Sequence, residues 1–379
     1  MICLKPNPNI RKVLSLAMVD EAARLTAAYD YELPRELIAA RPTKRRDSSR
    51  LLLVDRACKT LKDSSFQHIT SVFSSGDAVV INDSRVFPAR LLGRKSTGAS
   101  AEILLVRPID EVSSEVYPDA FASNQSPWLW IAMVRPGGKL KPGHTVEVGD
   151  GLSGEILEMG SDGTRVVRLI GDGNPWALID QFGHTPLPPY IDRPDDDSDR
   201  ERYQTVYARH LGSVASPTAG LHFTPELLAK LDERGVQIVP ITLHVGFGTF
   251  RPVSVDRVDE HRMPPEAYRL SVRAAEQLNK TRAAGKRVWA VGTTSCRVLE
   301  TAAISGEFES GEGWTDLFLH PPHEFRGVDG LLTNFHLPRS SLLLLVSAFA
   351  GRNFVLEAYA HAIAERYRFY SYGDAMVIW

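Results

Sequence analysis

Three histidines stand in glycine- or amide-rich strings: His222 in PTAGLHFT (217–224), His244 in LHVGFGTF (243–250) and His336 in TNFHLP (333–338). Histidine is the commonest general acid–base group near neutral pH, so these strings point to proton transfer. Each is equally readable as a satisfied core histidine, and that alternative stays open. Gly292, Thr293, Thr294 and Ser295 follow the apolar run KRVWAV and open a helical pattern. Such a turn presents backbone N–H groups suited to carboxylate, phosphate or ribose oxygens; the plainer reading is an N-cap. Arg297, near the first turn, either reaches a carboxylate or pairs structurally. Asn82, Asp83, Ser84 and Arg85 end a strand and either bind a polar ligand or form an Asx-type turn.

Other patterns exclude more than they assign. The glycines of 243–250 do not form GxGxxG before a helix, so a Rossmann site is unsupported. His320 and His323 are separated by two prolines, which forbids helical pairing, and no third metal ligand is adjacent. Cys3, Cys58 and Cys296 form no CxxC pair, which removes zinc ribbons, thioredoxin motifs and cysteine-held clusters, and their sparse, odd number fits a reducing compartment. Arg41, Lys44, Arg45, Arg46 and Arg50 make a local basic cluster, either a phosphate grip or a solvated face.

The elements that must position these residues change in texture along the chain. Short β-type runs recur between 86 and 170 (AEILLV, WLWIAMV, with turns such as RPGGK), suggesting an antiparallel barrel or sandwich. A polar stretch over 109–127 reads as a long loop, and residues 35–41 as a short helix stopped by Pro42. After Gly171, strands alternate with helices expected at 225–234, 272–284 and 293–303, the mark of an α/β domain. The expected organisation is an extension over 1–28, an α/β domain from 29–75 and 171–379, and an inserted β-barrel over 76–170.

The 379 residues carry 44 basic and 46 acidic side chains, a net charge of −2, which excludes a polyanion binder acting by bulk charge but not one with a local patch. The run LLLLVSAFA over 342–350 is far below the ~20 residues that span a bilayer and reads as a buried helix. The apolar stretch 13–19 ends in Asp20 and Glu21 where an export signal needs small residues. A cytoplasmic protein is expected, without membrane association.

Eight strings or pairs of strings occur in order: YELPRELIA with RDSSRLLLVDR, INDSRVFPARLLG, PLPPYIDRP with DRERYQTVYA, SPTAGLHFT, ITLHVGFGTFRPV, AVGTTSCRVLE, VDGLLTNFHLPRSSLLLLVSAFAG and YGDAMVIW. From Tyr29 to Trp379 the chain resembles the S-adenosylmethionine:tRNA ribosyltransferase-isomerases of queuosine biosynthesis. It departs from their pattern in the N-terminal extension and in Pro321-Pro322-His323, where the family has a Pro-Gly-Tyr-like string. The resemblance implies an α/β domain with a β-barrel. It also implies a transferase that moves and isomerises the ribosyl group of S-adenosylmethionine onto the aminomethyl group of 7-aminomethyl-7-deazaguanine at the tRNA wobble position. The products are epoxyqueuosine in tRNA, adenine and methionine.

No metal or redox cofactor is implied, S-adenosylmethionine being a co-substrate, and a monomer is expected. That chemistry needs a base beside the sulfonium and an acid for adenine, for which His222, His244 and His336 are the candidates. Asn82, Asp83, Ser84, Arg85, Thr293, Thr294, Ser295 and Arg297 are the candidate substrate-binding residues. A non-catalytic RNA-binding barrel is the rival, weakened because Trp128 and Trp130 lack a dense basic surround. A methyltransferase is disfavoured by the missing glycine fingerprint.

Overall fold

The computed structural model describes residues 21–109, 128–160, 162–250 and 252–379. The expected long loop, all but its first residue and Trp128's neighbour Pro127 included, and the first 20 residues lie outside them. Apolar runs bounded by turn residues assemble into a nine-stranded sheet. Its order is Gly311–Thr315, Glu266–Leu270, Gln237–Leu243, Ala78–Asn82, Val288–Val291, Gly330–Asn334, Ala375–Ile378, Arg50–Asp55 and Thr60–Ser65. The four strands from Gln237–Leu243 to Gly330–Asn334 are parallel, with Ala78–Asn82 between its partners.

Those inner strands read as continuous apolar runs because both faces are covered. Ala78 and Val80 pack with the helices Val272–Ala283 and Gly292–Ala302, whereas Val79 and Ile81 pack with Pro225–Glu233 on the other face. Successive residues of a strand point to opposite faces, so a single strand feeds both cores. Thr224, Ser271 and Ser340 cap their helices by accepting from Leu227, Ala274 and Leu343 N–H. The apolar helix Ser341–Ala350 is buried, as its sequence demands. Among the described residues no single helix is long and apolar enough to cross a membrane, and the next helix turns away from this one by 113°.

Six antiparallel strands form the barrel in the order Arg90–Lys95, Ser100–Ile109, Leu129–Arg135, Arg165–Gly171, Leu152–Met159 and Thr145–Gly149. The last pairs with the first, Arg94 opposite Glu147. Gly93 sits at that closure: a Cβ there would stand 2.3 Å from the Glu147 carbonyl oxygen. Leu91, Ile103, Trp130, Ala132, Ile156 and Val167 fill the interior, capped by Ile179 of the helix Pro175–Phe182.

The boundaries differ from the expected ones. Ala78–Asn82 belongs to the large sheet rather than to a barrel starting at residue 76, because its hydrogen-bond partners lie some 155 residues and more downstream and leave no local trace. The strand Gly183–His184 pairs with Arg90–Lys95, so the barrel's surroundings extend past 170. The segment 35–41 forms only a 3-10 turn, Arg35–Leu37, before Ile38 bridges to Phe369. The expected extension is also shorter. Thr26 and Tyr29 are buried, with Thr26 N–H donating to Asp256 O and its hydroxyl to Val255 O.

Candidate active site at the carboxyl ends of the parallel strands

Ligands of open α/β sheets collect beyond the carboxyl ends of parallel strands, where chains diverge to opposite faces. A cleft of about 650 Å³, mouth included, lies there. Val288–Val291 delivers Gly292, Thr293 and Thr294 to its wall, Gly330–Asn334 delivers Thr333 to Leu337, and Val245 follows the strand Gln237–Leu243. Residues 215–219, Tyr190, Ser340, Leu342, Tyr370 and Ser371 also line it.

Gly292 makes the strand–helix turn possible. Its φ of +86° is the left-handed region that side chains disfavour. No side chain caps the helix Gly292–Ala302, so the N–H groups of its first turn, which have no partner within a helix, lie at the cleft. Three buried oxygens on the wall lack any protein partner: Ser216 Oγ, Thr294 Oγ1 and Asn334 Oδ1. Buried polar groups are nearly always satisfied, so three such atoms around one cleft indicate a polar ligand.

His336 lines this cleft, with Nε2 2.8 Å from Thr333 Oγ1 and its carbonyl accepting from the Tyr31 hydroxyl. His222 lies behind the wall. Its Nδ1 is 2.7 Å from Ser49 Oγ and its Nε2 3.2 Å from Asn334 Nδ2, with Phe66 stacked on the ring. Burial pushes the pKa of both rings down to about 3, helped at His222 by Arg368 and Arg46. Both rings are therefore neutral at physiological pH. His244 is not among the lining residues; its N–H donates to Ala267 O, and Val245 takes the place at the cleft. The three histidines thus do not share the one cavity expected of them: only His336 faces it.

Thr293 and Thr294 line the cleft as expected, but their neighbours are spent elsewhere. Ser295 Oγ donates to Val291 O at 2.8 Å. Arg297 pairs with Glu266 and donates to the Leu317 and Thr315 carbonyls. Asn82 clamps two strands, donating to Leu243 O and accepting from Leu243 and Ser84 N–H. Asp83 accepts from Thr242 Oγ1 at 2.7 Å, and burial raises its pKa. Ser84 accepts from Ser213 Oγ, and Arg85 is exposed beside a separate small cleft lined by Gln204 and Arg200. None of Asn82, Asp83, Ser84 or Arg85 lines the main cleft.

Sequence reasoning missed Ser216, Asn334, Tyr190 and Tyr370 as wall residues, although Ser216, Asn334 and Tyr190 lie inside the ordered strings. A larger cleft of about 1730 Å³ adjoins the first, between barrel and sheet. Arg90, Glu102, Arg135, His184, Asp195 and Phe247 line it. The chain passes from one cleft to the other at Val214–Ala215 and around Tyr190, so the two are separated by single stretches of backbone. Among the described residues no group of three or more histidine, cysteine or acidic side chains could hold a metal.

Known proteins resemble this chain over nearly its whole length. A protein named S-adenosylmethionine:tRNA ribosyltransferase-isomerase from Desulfitobacterium hafniense is 48% identical over 92% of this chain and 98% of its own length. Its namesake from Heliobacterium modesticaldum is 48% identical over 93% of this chain and 99% of its own. The crystal structure of S-adenosylmethionine tRNA ribosyltransferase from Thermotoga maritima superposes with a TM-score of 0.52 and 39% identity, covering 93% of this chain and all of that one. The model of the queuosine biosynthesis protein family matches residues 26–378, five residues before the first of the sequence strings at Tyr31. This chain belongs to the queuosine biosynthesis protein family.

Proposed function

We propose that the chain is an S-adenosylmethionine:tRNA ribosyltransferase-isomerase. It transfers and isomerises the ribosyl moiety of S-adenosylmethionine onto the aminomethyl group of 7-aminomethyl-7-deazaguanine in tRNA. Epoxyqueuosine-tRNA, adenine and methionine are the products. The observation that carries this reading is 48% identity over nearly the full length to relatives of that name, with the strings SPTAGLHFT, AVGTTS and TNFHLP of this chain meeting at one cleft.

Two adjoining clefts suit a reaction with two substrates. The reaction breaks the sulfonium–carbon and N-glycosidic bonds, forms a carbon–nitrogen bond at the neutral acceptor amine and a carbon–carbon bond that closes the ribosyl carbons into a ring, and keeps the former ring oxygen as the epoxide. Of the two protons lost, from the ribose methylene and from the amine, one leaves on adenine and one is released. The sulfonium acidifies the neighbouring ribose methylene, and a base must take that proton while adenine is protonated as it leaves. His336 is the candidate histidine on the cleft wall; His222 and His244 are set back from it. S-adenosylmethionine acts as co-substrate without a further cofactor, and the enzyme acts as a cytoplasmic monomer on tRNA.

Incubation with S-adenosylmethionine and tRNA carrying the aminomethyl base tests this directly. Adenine and methionine should appear in equal amounts, only with the modified tRNA. S-adenosylhomocysteine in their place would mean methyl transfer, and no product at all would favour a binding module.

A further inference from the structure

The orientation of the Asn334 side chain is fixed by its surroundings. Its Nδ2 lies 3.1 Å from the Tyr370 carbonyl, 3.4 Å from the Asp374 carbonyl and 3.2 Å from His222 Nε2. Two carbonyl oxygens can only accept, so the amide nitrogen must face them and the oxygen must face away. His222 Nε2 then accepts, its ring proton sits on Nδ1, and that proton is donated to Ser49 Oγ. Asn334 is 1% exposed, and its oxygen is one of the unpartnered atoms on the cleft wall.

The end of the neighbouring parallel strand, paired through Val291 and Leu332, has the complementary character. The uncapped first turn at Gly292–Thr294 carries partial positive charge, and Thr294 Oγ1, unpartnered and on an 8% exposed residue, adds a hydroxyl donor. The rings of Tyr190 and Tyr370, 4.6 Å apart, also line the cleft and offer faces that attract cations. Among the described residues no Asp, Glu, Lys or Arg is on the lining. One strand end favours an anion and its neighbour an N–H donor or a cation, which is the pattern of a zwitterion.

We propose that this cleft is the subsite for the α-amino-acid group of S-adenosylmethionine, with its carboxylate on the Gly292–Thr294 turn and Thr294, its ammonium on Asn334 Oδ1, and His222 as the residue that positions Asn334. The inference rests on the proposed function and assigns one end of that substrate. The sulfonium, a few bonds from the ammonium, then lies toward the tyrosine faces, and the nucleoside extends away from the Gly292 turn.

The test is equilibrium binding of S-adenosylmethionine and of its decarboxylated analogue by calorimetry, with the intact chain. The wild-type chain should prefer S-adenosylmethionine by about tenfold or more, the scale of a charge-assisted hydrogen bond. Thr294→Val should bring the two within about twofold by weakening S-adenosylmethionine alone. Equal binding by the wild-type chain, or a Thr294→Val that weakens both ligands alike or neither, overturns the assignment.

His222→Leu separates positioning from catalysis. It should raise KM for S-adenosylmethionine with kcat kept within a few-fold and the pH profile unchanged in shape. Loss of kcat together with loss of a limb of that profile would overturn its positioning role. Product analysis of the wild-type enzyme is independent of all these outcomes: adenine and methionine would still appear if the subsite were wrongly placed.

Discussion

Arg297 and Glu266 form an ion pair in which the two side chains are 5% and 4% exposed, joining the helix behind the cleft to the strand Glu266–Leu270. Glu266 Oε1 also accepts from Gly246 N–H at 2.8 Å. The pair therefore holds the helix that begins at Gly292 against the loop that follows His244. Removing one partner strands a buried charge, which typically costs about 3–5 kcal/mol. Arg297→Met should lower stability by that order in urea denaturation, and Arg297→Met with Glu266→Gln should recover a good part of it. A variant of normal stability that had lost only substrate affinity would instead make Arg297 a ligand-binding residue.

Acid should destabilise the fold through His222 and His336. Each has its pKa pushed down to about 3 in the folded chain and returns to about 6.5 on unfolding. Between those values the unfolded chain binds more protons, so the contribution is fully present above about pH 6.5 and falls as pH drops toward 3. The expected slope is about 1.4 kcal/mol per pH unit for each ring. Urea midpoints at successive pH values should show it, and His222→Gln should flatten it.

His336→Ala should lower turnover ~100-fold while leaving tRNA affinity within a few-fold, the scale of a lost proton-transfer group on the cleft wall. His323→Ala is the comparison. Its ring meets Glu300 Oε2 at 3.1 Å, away from the cleft, and Glu300 also accepts from Arg326 and Gly327 N–H. Single-turnover rates of the two variants with saturating S-adenosylmethionine decide the matter. Comparable loss in both would show that the effect is structural.

Gly292→Ala should cost about 1–2 kcal/mol, since a side chain is strained at a φ of +86°. The added Cβ would stand 3.5 Å from Thr294 Oγ1. KM for S-adenosylmethionine should therefore rise more than the stability loss explains, as steady-state kinetics well below the melting transition would show.

Tyr29→Ala should cost about 3–5 kcal/mol, because a fully buried aromatic ring leaves a cavity when truncated. Its hydroxyl also donates to Ala23 O at 2.8 Å. A chain starting at Asp30 should show a similar drop in thermal melting, since Thr26 and Tyr29 both pack on the fold.

The barrel was readable because antiparallel strands one turn apart alternate locally: Leu129–Arg135 buries Trp130, Ala132 and Val134 in strict alternation. The helices over 225–234, 272–284 and 342–350 were readable from composition, and Thr224, Ser271 and Ser340 cap them in the structure. Ala78–Asn82 was misplaced because parallel partners are distant in sequence and a strand buried on both faces has no alternation to betray its sheet. At the site, spacing located the Gly292 turn but could not tell which polar atoms remain unpaired. Asn82 and Asn334 both end apolar strands. Asn82 uses its oxygen within the fold, whereas the oxygen of Asn334 has no protein partner, and that difference depends on carbonyls contributed by Tyr370 and Asp374.

The insertion of the barrel after Ala78–Asn82 fixes an order of events during synthesis. This strand leaves the ribosome well before Gln237–Leu243 and Val288–Val291, the neighbours on either side of it. The six barrel strands pair with one another within residues 90–171, so the barrel can close while the central strand still waits, apolar on both faces, for chain not yet made. Slowed translation or a shortage of holdase chaperones should therefore expose this strand to aggregation, while a barrel-destabilising change would act later and more mildly.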